Sequence, residues 1–120
     1  MLNQTVLTGN LGADPEMFYS SEGNPVASFN IAFNSGKKKS GKKKTGWIKV
    51  AAFGKLAEIS EKYLHKGARI GVIGMLDQQT WETDGGDKRS SFQINANSLE
   101  FIKTDGKGFE ENQNSGETPF

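Results

Sequence analysis

From residue 26 the chain alternates, VASFNIAFN, with Ala27, Phe29, Ile31 and Phe33 on one side and Ser28, Asn30, Ala32 and Asn34 on the other. A period of two is the signature of a half-buried strand. The pattern returns in GWIKVAAFG, residues 46–54: Ile48, Val50 and Ala52 form an apolar face, and Trp47, Lys49, Ala51 and Phe53 share the opposite one. That second face carries two aromatic rings and a lysine, which is unusual for a plain solvent face. The period changes in KLAEISEKYLHKG, residues 55–67, where Leu56, Ile59, Tyr63 and Leu64 fall at i, i+3, i+7 and i+8. This is a helical stripe, supported by a Glu58–Lys62 pair and stopped by Gly67.

The rest is strand-like. Residues 2–11 read as a strand closed by Gly12 and Asp14-Pro15, with EMFYS as a short continuation. SEGN is turn chemistry leading to Pro25. RIGVIGMLD, residues 69–77, is a strand with glycines that permit bending. A long hairpin follows, turning at Asp84-Gly85-Gly86-Asp87, and Leu99, Phe101 and Ile102 close the folded part. The sum is about five strands with one helix between the third and fourth. The expected fold is all-β with one helix, a five-stranded OB-fold, that is, a partly open Greek-key barrel. Alternation alone leaves open a small open sheet with the helix on one face.

Composition narrows the function. The 120 residues suit one domain and contain no cysteine, so disulfides and thiolate metal sites are out. No signal peptide or apolar run of membrane-spanning length is visible, so a cytoplasmic protein that makes no use of a membrane is expected. The net charge of +1 conceals an uneven distribution. Residues 1–103 hold 14 Lys/Arg against 10 Asp/Glu; residues 104–120 hold Lys107 against Asp105, Glu110, Glu111 and Glu117. A basic domain over 1–103 thus precedes a polar, acidic stretch over 104–120 that is expected to be disordered.

The densest charge is SGKKKSGKKKTGW, with Lys37, Lys38, Lys39, Lys42, Lys43 and Lys44 just before Trp47. It reads either as a tolerated duplication in a solvated hairpin connection or as an electrostatic arm for phosphates. A phosphate-binding P-loop is rejected: Lys43 stands at its Ser/Thr position and a strand follows where a helix is needed. A nuclear-localisation signal is the weaker reading of the basic run. Trp47, Lys49 and Phe53, joined by Trp81 from a later strand, are either a packing face or a platform on which nucleic-acid bases stack while lysines track phosphates. The neighbouring lysines favour the platform.

Catalysis finds no support. His65, the only histidine, sits where a helix ends and suits a capping or surface role. There is no Ser-His-Asp set and no HExxH. Glu58 with Glu61, and Asp84 with Asp87, have simple structural uses and no further metal ligands at recognisable spacing. Neither an enzyme nor a metal or cofactor is expected.

Gly9-Asn10-Leu11-Gly12 with Asp14-Pro15-Glu16, the Trp47 strand, Phe53-Gly54-Lys55-Leu56-Ala57-Glu58, Tyr63-Leu64 with Lys66-Gly67, and Trp81 ahead of a glycine turn stand in one order. In that order they resemble the bacterial-type single-stranded DNA-binding proteins over residues 1–103, and again at the tip, Pro119-Phe120. The resemblance implies an OB-fold, a homotetramer, and sequence-independent binding of single-stranded DNA in replication, recombination and repair, on the nucleoid. It implies that Trp47, Phe53 and Trp81 stack on bases and that Lys49, Lys55 and Lys66 contact the backbone. It also implies that a C-terminal tip, here Glu117, Pro119 and Phe120, recruits replication and repair enzymes. Three departures stand out. The lysine repeat occupies a place where many relatives carry another tryptophan. Asp77-Gln78-Gln79-Thr80 replaces an often basic segment, and the tip is only weakly acidic. Two other readings remain: a replication-restart adaptor of the same fold, and an RNA-binding OB protein.

Overall fold

The computed structural model describes residues 1–104. Of the expected tail over 104–120, Thr104 is described and is buried, and the rest, with the Glu117, Pro119 and Phe120 tip, lies outside the described residues. Six strands and one helix follow in the order β1 (Thr5–Leu11), β2 (Glu16–Tyr19), β3 (Pro25–Lys37), β4 (Lys43–Phe53), α1 (Lys55–Tyr63), β5 (Arg69–Glu82) and β6 (Lys88–Lys103). Five of the strands form a closed barrel. β1 pairs with β5, β5 with β6, β6 with β4 and β4 with β3, and two rungs, Asn10–Ala32 and Leu11–Ile31, join β3 back to β1. All pairings are antiparallel except β4–β6. This is the order of an OB-fold, so the barrel and the helix between its third and fourth strands stand as the sequence implied. β2 is an addition on the outer edge of β3.

Closure buries the alternating apolar positions. Leu11, Phe29, Ile31, Val50, Ile70, Val72 and Ile94 meet inside the barrel with Leu64 and Ala68 from the segment after the helix. A second cluster of alanines, Ala27, Ala52 and Ala57, lets α1 lie close on β3 and β4. Gly54 starts that helix with φ 62°, a conformation open to glycine at little cost, and donates its N–H to Pro25 O.

The helix differs from its sequence reading in two respects. It ends at Tyr63, with Leu64 already extended, so His65 and Lys66 lie beyond it. The reason is Leu64 itself, which must leave the helix to reach the barrel core, after which Gly67 and Leu11 bond through their main chains. Ala57 and Ser60 are its most buried positions, with Ile59 and Tyr63 half-buried beside them. Glu58 meets Lys55 at 3.9 Å, and Lys62 lies over the Tyr63 ring. His65 ties two segments together. Its Nδ1 is 2.7 Å from Lys66 O and its Nε2 is 2.8 Å from Thr104 O, which fastens the end of β6 to the loop after α1.

Candidate nucleic-acid interface

Residues paired across a sheet project from the same face, so the strand register decides which side chains share a surface. On β4 the outer face presents Trp47, Lys49, Ala51 and Phe53. Their partners on β3 are Ala32, Asn30, Ser28 and Val26, and β2 adds Glu16 opposite Ser28 and Phe18 opposite Val26. On the other side Lys49 and Ala51 pair with Gln93 and Asn95 of β6, which pair in turn with Asp77 and Met75 of β5. Every second residue of β5 faces the same way, which carries this surface onward from Asp77 to Gln79 and Trp81. One outer surface therefore carries Trp47, Lys49, Phe53 and Trp81.

The rings on this surface are open to solvent: Trp47 is 60% exposed, Phe53 50%, Trp81 49% and Phe18 53%. Burying rings of this size is worth about 25 cal/mol per Å², a gain the isolated chain forgoes for the part left in water. Such exposure marks a surface that binds something. The Trp47 ring is held in place from below. Gly12 leaves room for it, since a Cβ there would lie 2.6 Å from Cζ3 and 2.9 Å from Cη2.

β4 and β6 pair over only three rungs, from Lys49–Gln93 to Ala51–Asn95. Beyond them the strands part, and two hairpin arms extend from the barrel. A polar group braces the fork. Asp77 Oδ2 accepts from Gln79 Nε2 at 2.6 Å and from Asn95 Nδ2 at 3.3 Å, and Gln93 Nε2 donates to Asn95 Oδ1 at 2.8 Å. The acid in the Asp77–Thr80 segment thus orders the surface between the arms.

The first arm is the lysine segment. It is more regular than a loop: β3 and β4 run into it, with Lys37 paired to Lys43, and only 38–42 form the turn. The two SGKKK copies do different work. Gly36, at φ 105°, lies at the bulge after Asn34, whose Oδ1 accepts the Gly36 N–H, whereas Gly41, at φ 87°, closes the turn. Lys37 and Lys43 sit directly opposite one another, and like charges so placed repel. An anion between them removes that repulsion.

The second arm carries Trp81, opposite Arg89, with Lys88 opposite Glu82. Sequence reasoning missed Arg89, Lys88 and Phe18. Nothing in composition or alternation singles them out; the register sets Arg89 and Phe18 on the face of the rings and Lys88 on the opposite face of the same arm. The two remaining expected cations lie at the margins. Lys55 opens the helix two residues after Phe53, and its ammonium is half-engaged with Glu58. Lys66 donates its main-chain N–H to Asp14 Oδ1 at 2.7 Å, which sets it beside the loop under Trp47. His65 is engaged with two carbonyl oxygens, and among the described residues no group of His, Asp and Glu is placed to hold a metal ion.

Between Trp47 and Phe18 lies a cleft of about 590 Å³ with Ser28 and Asn30 in its floor. Asp14 and Glu16 line one side and Lys49 the other. A single face thus combines flat apolar rings, a crowd of cations at its border and a partly polar groove. It has the components for holding a flexible polyanion that bears flat apolar groups.

Comparison with known proteins points the same way. The sequence matches the model of the "Single-strand binding protein family" over residues 2–102. Among solved structures the fold resembles the Plasmodium falciparum SSB in complex with ssDNA, with a TM-score of 0.78 and 27% sequence identity. The match covers 86% of this chain and 97% of that one.

Proposed function

This chain belongs to the single-strand binding protein family, a family of binding proteins and not of enzymes, and on that premise we propose that it coats single-stranded DNA without regard to sequence. The observation that carries the reading is the shared outer face of Trp47, Lys49, Phe53 and Trp81, bordered by the basic lysine arm. Bases stack on the rings, at about 1–3 kcal/mol each, and every base has a face to offer, which makes the binding tolerant of sequence. Lys49 and the lysine arm neutralise phosphates, with Lys55 and Lys66 at the margins. Duplex DNA is refused because its bases are already stacked and its faces are hidden.

The biological setting we propose is replication, recombination and repair, the processes that expose single strands. The assembly is a homotetramer, and a main-chain edge supports self-association: among the described residues, those of β1 before Asn10 pair only with β5. The C-terminal tip, with Glu117, Pro119 and Phe120, recruits partner enzymes; its Pro-Phe ending supports this part.

The test is tryptophan fluorescence during titration with oligo-dT, with a duplex of equal length as control, at low and high salt. Strong quenching by the single strand alone is expected. Equal responses to both, or none, would assign the aromatic face to subunit packing and remove the reading.

A further inference from the structure

The cleft between Trp47 and Phe18 has a polarity that a featureless stacking platform does not need. The strand register runs it from the Trp47 row to the Phe18 row, six β3 residues or about 20 Å apart, with the Ser28 hydroxyl and the Asn30 amide on β3 between them and side chains of opposite charge on the flanking strands. Asp14 and Glu16 stand on one side and Lys49 on the other. Phe18 reaches this surface because it pairs with Val26, which pairs with Phe53, so a row of two rings and a valine crosses three strands. The volume, about 590 Å³, falls within the roughly 300–1,000 Å³ typical of small-ligand sites.

The carboxylates decide what can enter. Asp14 spends one oxygen, Oδ1, on the Lys66 N–H. The Glu16 carboxylate has no hydrogen-bond or ion-pair partner among the described residues. An acceptor of full negative charge repels a phosphate, so the nucleic-acid backbone must pass on the Lys49 side. The group facing Glu16 is then a base edge, and a carboxylate rewards an edge that donates. Cytosine and adenine offer exocyclic amines, whereas thymine offers a carbonyl oxygen at the corresponding position.

We propose that this cleft is a base-binding groove, with Trp47 and Phe18 as stacking walls at its two ends, each for a different base, and Glu16 between them as a residue that favours cytosine or adenine over thymine. The proposal rests on the single-strand-coating reading above and adds to it a local preference within otherwise tolerant binding.

The experiment compares short dC and dT homo-oligonucleotides on the full chain, by fluorescence titration at one salt concentration, for the wild type and for Glu16→Ala, Glu16→Gln and Phe18→Ala. The base-dependent self-stacking of each strand cancels when the dT-to-dC ratio of Kd is compared between proteins. Removing the carboxylate is expected to move that ratio toward dT by roughly 3- to 10-fold, as suits one charge-assisted hydrogen bond in a half-open site. Glu16→Gln should fall between, since an amide both donates and accepts. Phe18→Ala should weaken both strands by more than about 3-fold, as loss of one stacking wall requires. A uniform tightening of both strands by Glu16→Ala would reveal relief of general repulsion only and overturn the proposal. So would a Phe18→Ala protein that binds like wild type. Failure of the wild type to bind either strand would instead remove the coating reading itself.

Discussion

Gly12 gives the sharpest test of whether the Trp47 ring works in the place the fold assigns to it. Its φ lies outside the left-handed region, so alanine is admissible on backbone grounds. The added Cβ would meet ring carbons at 2.6 and 2.9 Å, against a comfortable carbon–carbon separation of about 3.5–4.0 Å. The ring tip must therefore withdraw by about 1 Å. The far side of the ring is open, so it can swing at a cost of about 0.5–1.5 kcal/mol for leaving its preferred rotamer. Folding stability gains about 0.4–1 kcal/mol from replacing glycine, which offsets part of that cost. The melting temperature should consequently stay within a few degrees of wild type, while a base that stacks on a displaced ring loses part of its roughly 1–3 kcal/mol. We expect Kd for oligo-dT to rise roughly 3- to 10-fold, in line with that loss. The assay is a titration of Gly12→Ala in a Trp81→Phe background, where Trp47 is the only tryptophan, alongside a thermal melt. Unchanged Kd and unchanged quenching would refute the stacking role of Trp47. A large fall in melting temperature would show that Gly12 matters to folding in a way the contact geometry does not anticipate.

Three further expectations can be checked separately. Replacing Lys37, Lys38, Lys39, Lys42, Lys43 and Lys44 by serine should flatten the log–log dependence of affinity on salt by about 0.7 for each phosphate that is no longer neutralised; an unchanged slope would make the arm a spacer. Gly74→Ala should destabilise the barrel by about 2–4 kcal/mol, because a Cβ there lands on the Asn95 carbonyl oxygen and 2.9 Å from Ala96 Cα, both main chain. Gly71→Ala, whose nearest neighbour would be Glu100 Cβ at 3.6 Å, should cost much less, and equal melting temperatures for the two variants would contradict the geometry. His65→Ala should remove about 1–3 kcal/mol by taking away the ring that bridges Lys66 O and Thr104 O, and hydrogen exchange should quicken in the last residues of β6; unaltered exchange there would show that the latch is not what secures that end.

The alternating runs at 26–34 and 46–54 are legible because each strand has one face in the barrel and one in water, so polarity switches with every residue. That same alternation is enough to put Trp47, Lys49 and Phe53 together. It falls silent in the lysine arm, where both faces of the hairpin are solvated and charged residues pair as readily as any others. The helix is legible but reads too long, because Leu64, His65 and Lys66 suit a helix in composition while Leu64 is needed in the core. Phe18 and Arg89 are hidden for a different reason. A strand of four residues has too few positions to show a period, and the partner of Arg89 is fixed by the register that the turn between Thr83 and Asp87 sets in the β5–β6 hairpin, which composition does not reveal.

The way the barrel closes also governs when it can exist. β2, β3 and β4 pair with near neighbours and can meet as soon as Phe53 has been made. Two of the other seams cannot: β1 waits for β5 and β4 waits for β6, whose last residue is Lys103. Contacts between such distant parts of a chain slow folding, because a long segment must be ordered before they repay the loss. At about 5–20 residues per second, the stretch between Phe53 and Lys103 takes about 3–10 s to synthesise. For that interval Phe29, Ile31 and Val50 sit on an early sheet with no lid, and the growing chain needs either a quick finish or a chaperone.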